Sequence, residues 1–256
     1  MKIHIWTPDY QHSSGGIRVL HYLGYLAHLM GHEVNMLCSF LNNEWGCYSS
    51  KFDDFDFKIV PEIYPATLPS AGNIVRWVLY FPGMICNGPT TYPDHEMIVS
   101  YHSNYTLAAI IAAPLSPVYQ FYLPYSNLEG FEFQINRSAS SLLWVGKGQY
   151  VVTPETMQAR QITRECPARR FQLISALRSC ENFYSFDPFT SLNDEALVCG
   201  CKVFLFNPKT QSWEPYNNPE APLIVMNQDR DKMAVETFLN IAKYHFDHPP
   251  QEVHNG

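Results

Sequence analysis

The sequence has no apolar run long enough to cross a bilayer. The best stretch, Trp77 to Cys86, is interrupted by Pro82 and Gly83 and falls far short of the roughly 20 residues that a spanning helix needs. Positive charge is also lacking: 17 Lys and Arg stand against 24 Asp and Glu, a formal net charge of -7. Without a local basic patch that leaves no electrostatic footprint for a nucleic-acid backbone. There is no internal repeat of fixed period and no low-complexity segment. The start, MKIHIWTPDYQ, lacks a basic region followed by an apolar run, so no signal peptide is expected. A cytoplasmic location is the expectation, with attachment to a membrane surface left open. The seven cysteines, Cys38, Cys47, Cys86, Cys166, Cys180, Cys199 and Cys201, are odd in number and scattered. They read as reduced residues in apolar surroundings. His245, His248 and His254 lack a metal-ligand spacing, so no metal site is expected. The full G-x-G-x-x-G fingerprint is absent, which argues against a nicotinamide or flavin dehydrogenase.

What is present is a globular chain. Its 256 residues, 46% hydrophobic and 14% aromatic, suffice for one large core or two modest ones. Lys2 to Trp6 alternates apolar residues and reads as a strand. A polar loop follows, and Ser13-Ser14-Gly15-Gly16 opens a helix that Gly31 stops. Glu33 to Cys38 completes a strand-helix-strand unit. Phe57 to Val60 is expected as a strand, Ile74 to Phe81 as a helix, Met97 to Tyr101 as a strand, Tyr105 to Ala113 as a helix and Val118 to Leu123 as a strand. The pattern restarts near Ser140. Leu142 to Val145 reads as a strand, Gly146-Lys147-Gly148 as a turn, Gln161 to Thr163 as a strand, and Ala168 to Ser179 as a helix with Phe171, Ile174, Ala176 and Leu177 apolar. The last helix, Asp229 to Phe246, has Met233, Phe238, Leu239, Ile241 and Ala242 as its expected buried side. Strands alternating with helices predict an α/β fold of two Rossmann-like domains with parallel sheets, the second abbreviated. The expected division is 1-136, 137-226, a C-terminal helix over 227-248 and a loose tail over 249-256.

The stretch Phe183 to Phe206 is the most informative. It predicts a strand, a turn, a helix of about two turns and a second strand. Ser191 is placed to cap the helix with Asp194 three residues on, and Gly200 to close it. Leu192, Ala196 and Cys199 recur at the spacing of a buried face, and Glu195 falls on that face. A carboxylate there must find protein donors, or the hydroxyls and phosphates of a ligand docked at the helix N-terminus. Asp187 lies eight residues earlier in the turn. Ligands of open parallel sheets bind beyond the carboxyl ends of the strands, which singles out the loops after Trp6, Tyr101, Val145 and Phe186. Gly15-Gly16 permits close backbone approach to an anion. His102 can donate to a phosphate or polarise an oxygen, and Lys147 and Arg164 can supply fixed positive charge to a leaving diphosphate.

The run Asp187-Pro188-Phe189-Thr190-Ser191-Leu192-Asn193-Asp194-Glu195-Ala196, continuing as Cys199-Gly200-Cys201-Lys202-Val203, resembles the acidic-x7-Glu motif of retaining glycosyltransferases of the GT-B fold. Ser14-Gly15-Gly16-Ile17-Arg18-Val19 and Gly31-His32-Glu33-Val34 are similar to the opening of the same enzymes. The resemblance implies a metal-independent transferase with no cofactor beyond its nucleotide-sugar donor. It would place Glu195 on the ribose hydroxyls and Asp187 on the transferred sugar. The amides of Thr190, Ser191 and Leu192, with Gly15 and Gly16, would receive the diphosphate. Lys147 would match a basic residue of the second domain, and His102 a histidine of the first. Glu195→Ala is then expected to abolish transfer with the fold intact. Three departures stand: Asp187 where Glu is usual, no second basic residue shortly after Lys147 unless Arg164 or Arg160 replaces it, and a short second domain. The alternative is a non-catalytic nucleotide-sugar-binding subunit, or a chain completed by a partner subunit or a second copy. A sugar-nucleotide epimerase would need further acid-base carboxylates. The acceptor stays open among lipid-linked glycan, polysaccharide, protein and modified nucleobase, with Leu41 to Asp56 and Val75 to Pro93 the expected specificity loops.

Overall fold

Short runs of β-branched and aromatic residues, bounded by polar loops, supply two sheets. The structure, a computed structural model, describes residues 1-46, 48-65, 72-126 and 137-249. The chain divides into two units: one of Met1-Gln11, Gly16-Leu123 and 227 onward, the other of His12-Gly15 and Pro124-Met226. The expected boundary after 136 lies at the end of a stretch, 127-136, outside the described residues, as does 250-256 of the expected loose tail.

In the first unit, β1 (Lys2-Trp6), β2 (Glu33-Leu37), β3 (Phe57-Pro61), β4 (Ile74-Val78), β5 (Met97-Ser100) and β6 (Val118-Gln120) form a sheet of order β2-β1-β3-β4-β5-β6. Every pairing is parallel. Helix α1 (Gly15-Leu29) joins β1 to β2, and α2 (Ser103-Ala112) joins β5 to β6. Ile74 to Phe81, expected as a helix, instead holds the central strand β4 over Ile74-Val78. Its five residues IVRWV are all buried, and a short β-branched and aromatic run buried on both faces suits a parallel sheet. The burial of Arg76 is met by four hydrogen bonds: Nε and Nη2 donate to Glu96 at 2.5 and 2.8 Å, and Nη1 donates to the Tyr64 and Pro61 carbonyls. Neighbouring β4 side chains point to opposite faces. Val78 packs with Ala109 and Ala112 of α2. Trp77 stacks on Phe238 of the C-terminal helix, and Phe121 lies against that ring at 4.2 Å and 3°.

The second unit carries β7 (Ser138-Trp144), β8 (Arg160-Ile162), β9 (Cys180-Ser185), β10 (Lys202-Asn207) and β11 (Ser212-Tyr216) in the order β11-β10-β9-β7-β8. Three pairings are parallel, but β11 runs antiparallel to β10, so the expected parallel sheet has an antiparallel edge. A short helix α3 (Pro154-Gln158) lies between β7 and β8 in sequence, α4 (Arg170-Ser179) between β8 and β9, and α5 (Ser191-Val198) between β9 and β10. Leu173, Ile174 and Leu177 of α4 and Leu192 and Ala196 of α5 bury Leu142, Phe183 and Val203 on one face. Phe171, expected on that face, is exposed. The segments entering and leaving the unit meet in an isolated parallel bridge, with Ser126 N donating to Ile224 O and Met226 N to Ser126 O.

The last helix, α6 (Gln228-Asp247), belongs to the first unit. Its buried side is Asp231, Val235, Phe238, Leu239 and Ala242, whereas Met233 and Ile241 are exposed. The class is α/β with two Rossmann-like units, as the sequence predicts. Among the described residues no helix is long and apolar enough to cross a membrane. Cys180, Cys199 and Cys201 are buried as expected, but Cys86 and Cys166 are exposed and Cys38 is half-buried.

Candidate functional site

The second unit's parallel strands deliver their following loops to one edge of the sheet. Trp144 at the end of β7 pairs with Ser185 at the end of β9, so Gly146-Lys147-Gly148 and Asp187 arrive together. Asp187 is buried. Its Oδ2 accepts the Lys147 amide at 3.1 Å and its Oδ1 the Phe189 amide at 3.1 Å. Both glycines are required by that seating. Gly146 has φ 56, and a Cβ on it would lie 2.5 Å from Asp187 Oδ2 and against Trp144 Nε1. A Cβ on Gly148 would collide with the Phe186 carbonyl.

Helix α5 begins at the same edge. Thr190, not Ser191, is the N-cap, with its Oγ1 accepting from the Leu192 amide at 3.4 Å. The capping-box partner expected at Asp194 is engaged elsewhere: its Oδ1 accepts from Tyr216 Oη and Asn218 Nδ2. Gly200 ends the helix at φ 84 as expected, with Gly200 N bonded to Leu197 O and Cys201 N to Ala196 O, the paired bonds of a Schellman stop. Asn193 Nδ2 donates to the Asp187 carbonyl. Two buried polar atoms in this region, Trp144 Nε1 and Asn193 Oδ1, have no hydrogen-bond partner among the described residues.

Glu195 lies one turn deeper and is 0% exposed. Arg170, the first residue of α4, donates from Nη1 to its Oε2 at 2.8 Å and from Nη2 to its Oε1 at 2.6 Å. Arg170 Nη2 also donates to Ser126 Oγ at 2.8 Å. A forked pair of this kind fixes geometry as well as charge. Deleting one partner of such a buried pair costs about 3-5 kcal/mol. Burial, and next the Glu195 charge, push the neighbouring Cys199 thiol up to about 12.

Neither family models nor curated proteins match the chain. In chain course it is similar to a solved structure of an alpha-glucosyltransferase in complex with UDP, at 10% identity over 94% of this chain and 91% of that one, TM-score 0.49. A structure of alpha-glucosyltransferase in complex with UDP and a 13-mer DNA containing a HMU base is similar at 11% identity over 94% and 90%, TM-score 0.48. E. coli heptosyltransferase WaaC with ADP follows at 9% identity over 95% and 100%, TM-score 0.30. Likeness of this degree says nothing about chemistry, which must come from the side chains.

The second unit thus gathers Lys147, Asp187, Thr190, Ser191 and Leu192 at one sheet edge, with Glu195 buried behind them. Arg164 reaches the same edge, exposed in the loop after β8, which runs parallel to β7. Gly15, grouped with this unit, is placed so that a Cβ on it would lie 3.2 Å from Ser191 Oγ. Gly16 and His102 belong to the first unit. His102 follows β5 and caps α2, its Nδ1 accepting the Asn104 amide at 3.2 Å. Sequence reasoning missed Arg170 and Ser126. A signal for Arg170 existed: it stands three, four and seven positions before Leu173, Ile174 and Leu177, the buried residues of its helix. Among the described residues no three His, Cys, Asp or Glu side chains are grouped to hold a metal ion.

Proposed function

We propose that the chain is a metal-independent glycosyltransferase that moves a sugar from a nucleotide-sugar donor to an acceptor hydroxyl with retention of configuration. The observation that carries this reading is the glycine-flanked Lys147 loop pinned to Asp187 beside the start of α5. A loop that carries Lys147 next to a helix N-terminus offers a cation and the positive end of the helix dipole to an anionic group. In the reaction Lys147, Arg164 and the N-terminus of α5 at Ser191 stabilise the departing diphosphate, and the acceptor oxygen enters on the face it vacates. Asp187 fixes the loop that carries Lys147. Gly15, beside Ser191, leaves room for the phosphates. The resemblance of the run Asp187 to Ala196 to the motif of retaining enzymes supports retention. The chain works in the cytoplasm, in solution or at a membrane surface.

Both Asp187 oxygens accept loop amides, and that favours a second reading, a nucleotide-sugar-binding subunit without transfer of its own. Calorimetric titration with a panel of sugar nucleotides tests what the two share. Binding of at least one is expected, weakened about tenfold or more by Lys147→Ala, as removal of a hydrogen bond to a charged group implies. No binding, or binding indifferent to Lys147, removes both.

A further inference from the structure

The carboxylate expected to meet the donor is not at the surface. Glu195 is 0% exposed and gripped by both Nη atoms of Arg170, so a ribose hydroxyl reaches it only if that fork opens and leaves a buried charge unpaired. Arg170 itself stands where a ligand can meet it. It opens α4, the helix that follows β8, and therefore lies at the carboxyl edge that also carries Lys147 and Arg164. Its side chain is 15% exposed, and Ser126 Oγ fixes Nη2 as well. The fork leaves the guanidinium a single orientation, with the entropy of ordering it already spent in the folded chain.

We infer that Arg170 meets the donor's diphosphate alongside Lys147 and that Glu195 is a positioning residue acting through Arg170. This rests on the donor-binding reading above and deepens it. Glu195 sets the plane of the guanidinium, Ser126 holds one of its nitrogens, and the donor is sensed at the phosphates with Glu195 never touching the ribose. Asp187, committed to the amides of Lys147 and Phe189, orders the neighbouring loop in the same manner. Both acidic residues of the x7 pair then act by placing cations.

The test measures, for the full chain, affinities for UDP, GDP and ADP, for the matching nucleosides, and for the 2′,3′-dideoxy diphosphates. For whichever base binds, Arg170→Gln is expected to lower the preference for diphosphate over nucleoside about tenfold or more, a charge-assisted hydrogen bond being lost. Arg170→Lys, which keeps the charge without the fork, falls between. Glu195→Gln lowers the same preference in the same direction, and the double variant binds no worse than Arg170→Gln, because one acts through the other. A merely structural pair would weaken nucleoside and diphosphate alike. Should Glu195→Gln fail to fold, the Arg170 pair decides alone: an unchanged preference in both overturns the inference. It is overturned equally if Glu195→Gln keeps the preference but erases discrimination against the dideoxy form, since Glu195 then contacts ribose. If no diphosphate binds the wild-type chain, the donor reading itself fails, and the inference with it.

Discussion

The carboxylate of Asp187 accepts the backbone amide of Lys147 at 3.1 Å, fastening the loop after one parallel strand to the loop after its neighbour. Asp187→Ala removes the acceptor for that amide and for Phe189 N, so it is expected to loosen both loops, destabilising the chain by about 1-3 kcal/mol, the cost of leaving buried groups unpaired. Urea unfolding checks it. Asp187→Asn, which retains one acceptor oxygen, should lie between wild type and Ala; equal stability of all three would remove Asp187 from this role.

Gly146 and Gly31 make a matched pair of backbone tests. Both have positive φ, 56 and 82, but a Cβ at Gly31 meets nothing within 4 Å whereas one at Gly146 strikes Asp187 and Trp144. Gly31→Ala is expected to cost about 1-2 kcal/mol, the left-handed penalty alone. Gly146→Ala should cost more than that and also weaken sugar-nucleotide binding, which Gly31→Ala leaves unchanged. Thermal melts with calorimetric titration measure both.

Glu195→Ala strands Arg170 beside a buried cavity. A loss of about 3-5 kcal/mol is expected, at variance with the intact fold that the sequence alone implies. A variant as stable as wild type would mean that the fork contributes nothing. The pair in the first unit obeys the same rule: Arg76→Met or Glu96→Leu alone should cost about 3-5 kcal/mol and the two together much less.

Stability should fall on mild acidification. Burial holds His4, His21, His32 and His245 below the ordinary histidine value. His21 is enclosed on α1, where Nε2 donates to the Pro8 carbonyl and Nδ1 accepts from Tyr48 Oη. Once pH drops below about 6.5, the unfolded chain takes up protons that these rings refuse. Their contribution is therefore complete above that pH and lost as pH falls toward the folded values. The urea midpoint is expected to be lower at pH 5.5 than at pH 7.5; an equal or higher midpoint would contradict the assignment.

Most of the architecture was legible because strand-loop-helix periodicity and Gly punctuation survive in sequence, as at Gly31 and Gly200. The errors have physical sources. β4 was misread because the four apolar residues around Arg76 carry no period, and only a structure shows that Glu96 neutralises the arginine. β11 escaped because Pro215 within SWEPY argues against a strand, yet an edge strand admits proline. Glu195 announced itself as a carboxylate on an apolar face. Its partner did not, since Arg160, Arg164, Arg169, Arg170 and Arg178 crowd one region and the choice among them is made by tertiary packing. Thr190 and Ser191 are adjacent hydroxyl residues, and either can cap; the turn after Asp187 selects the first.

The central claim is tested most directly by incubating the purified chain with sugar nucleotides and following release of nucleoside diphosphate. Slow release from at least one donor is expected without added acceptor, and it is lost in Lys147→Ala. No release from any donor, with binding intact, would contradict it in favour of a binding subunit.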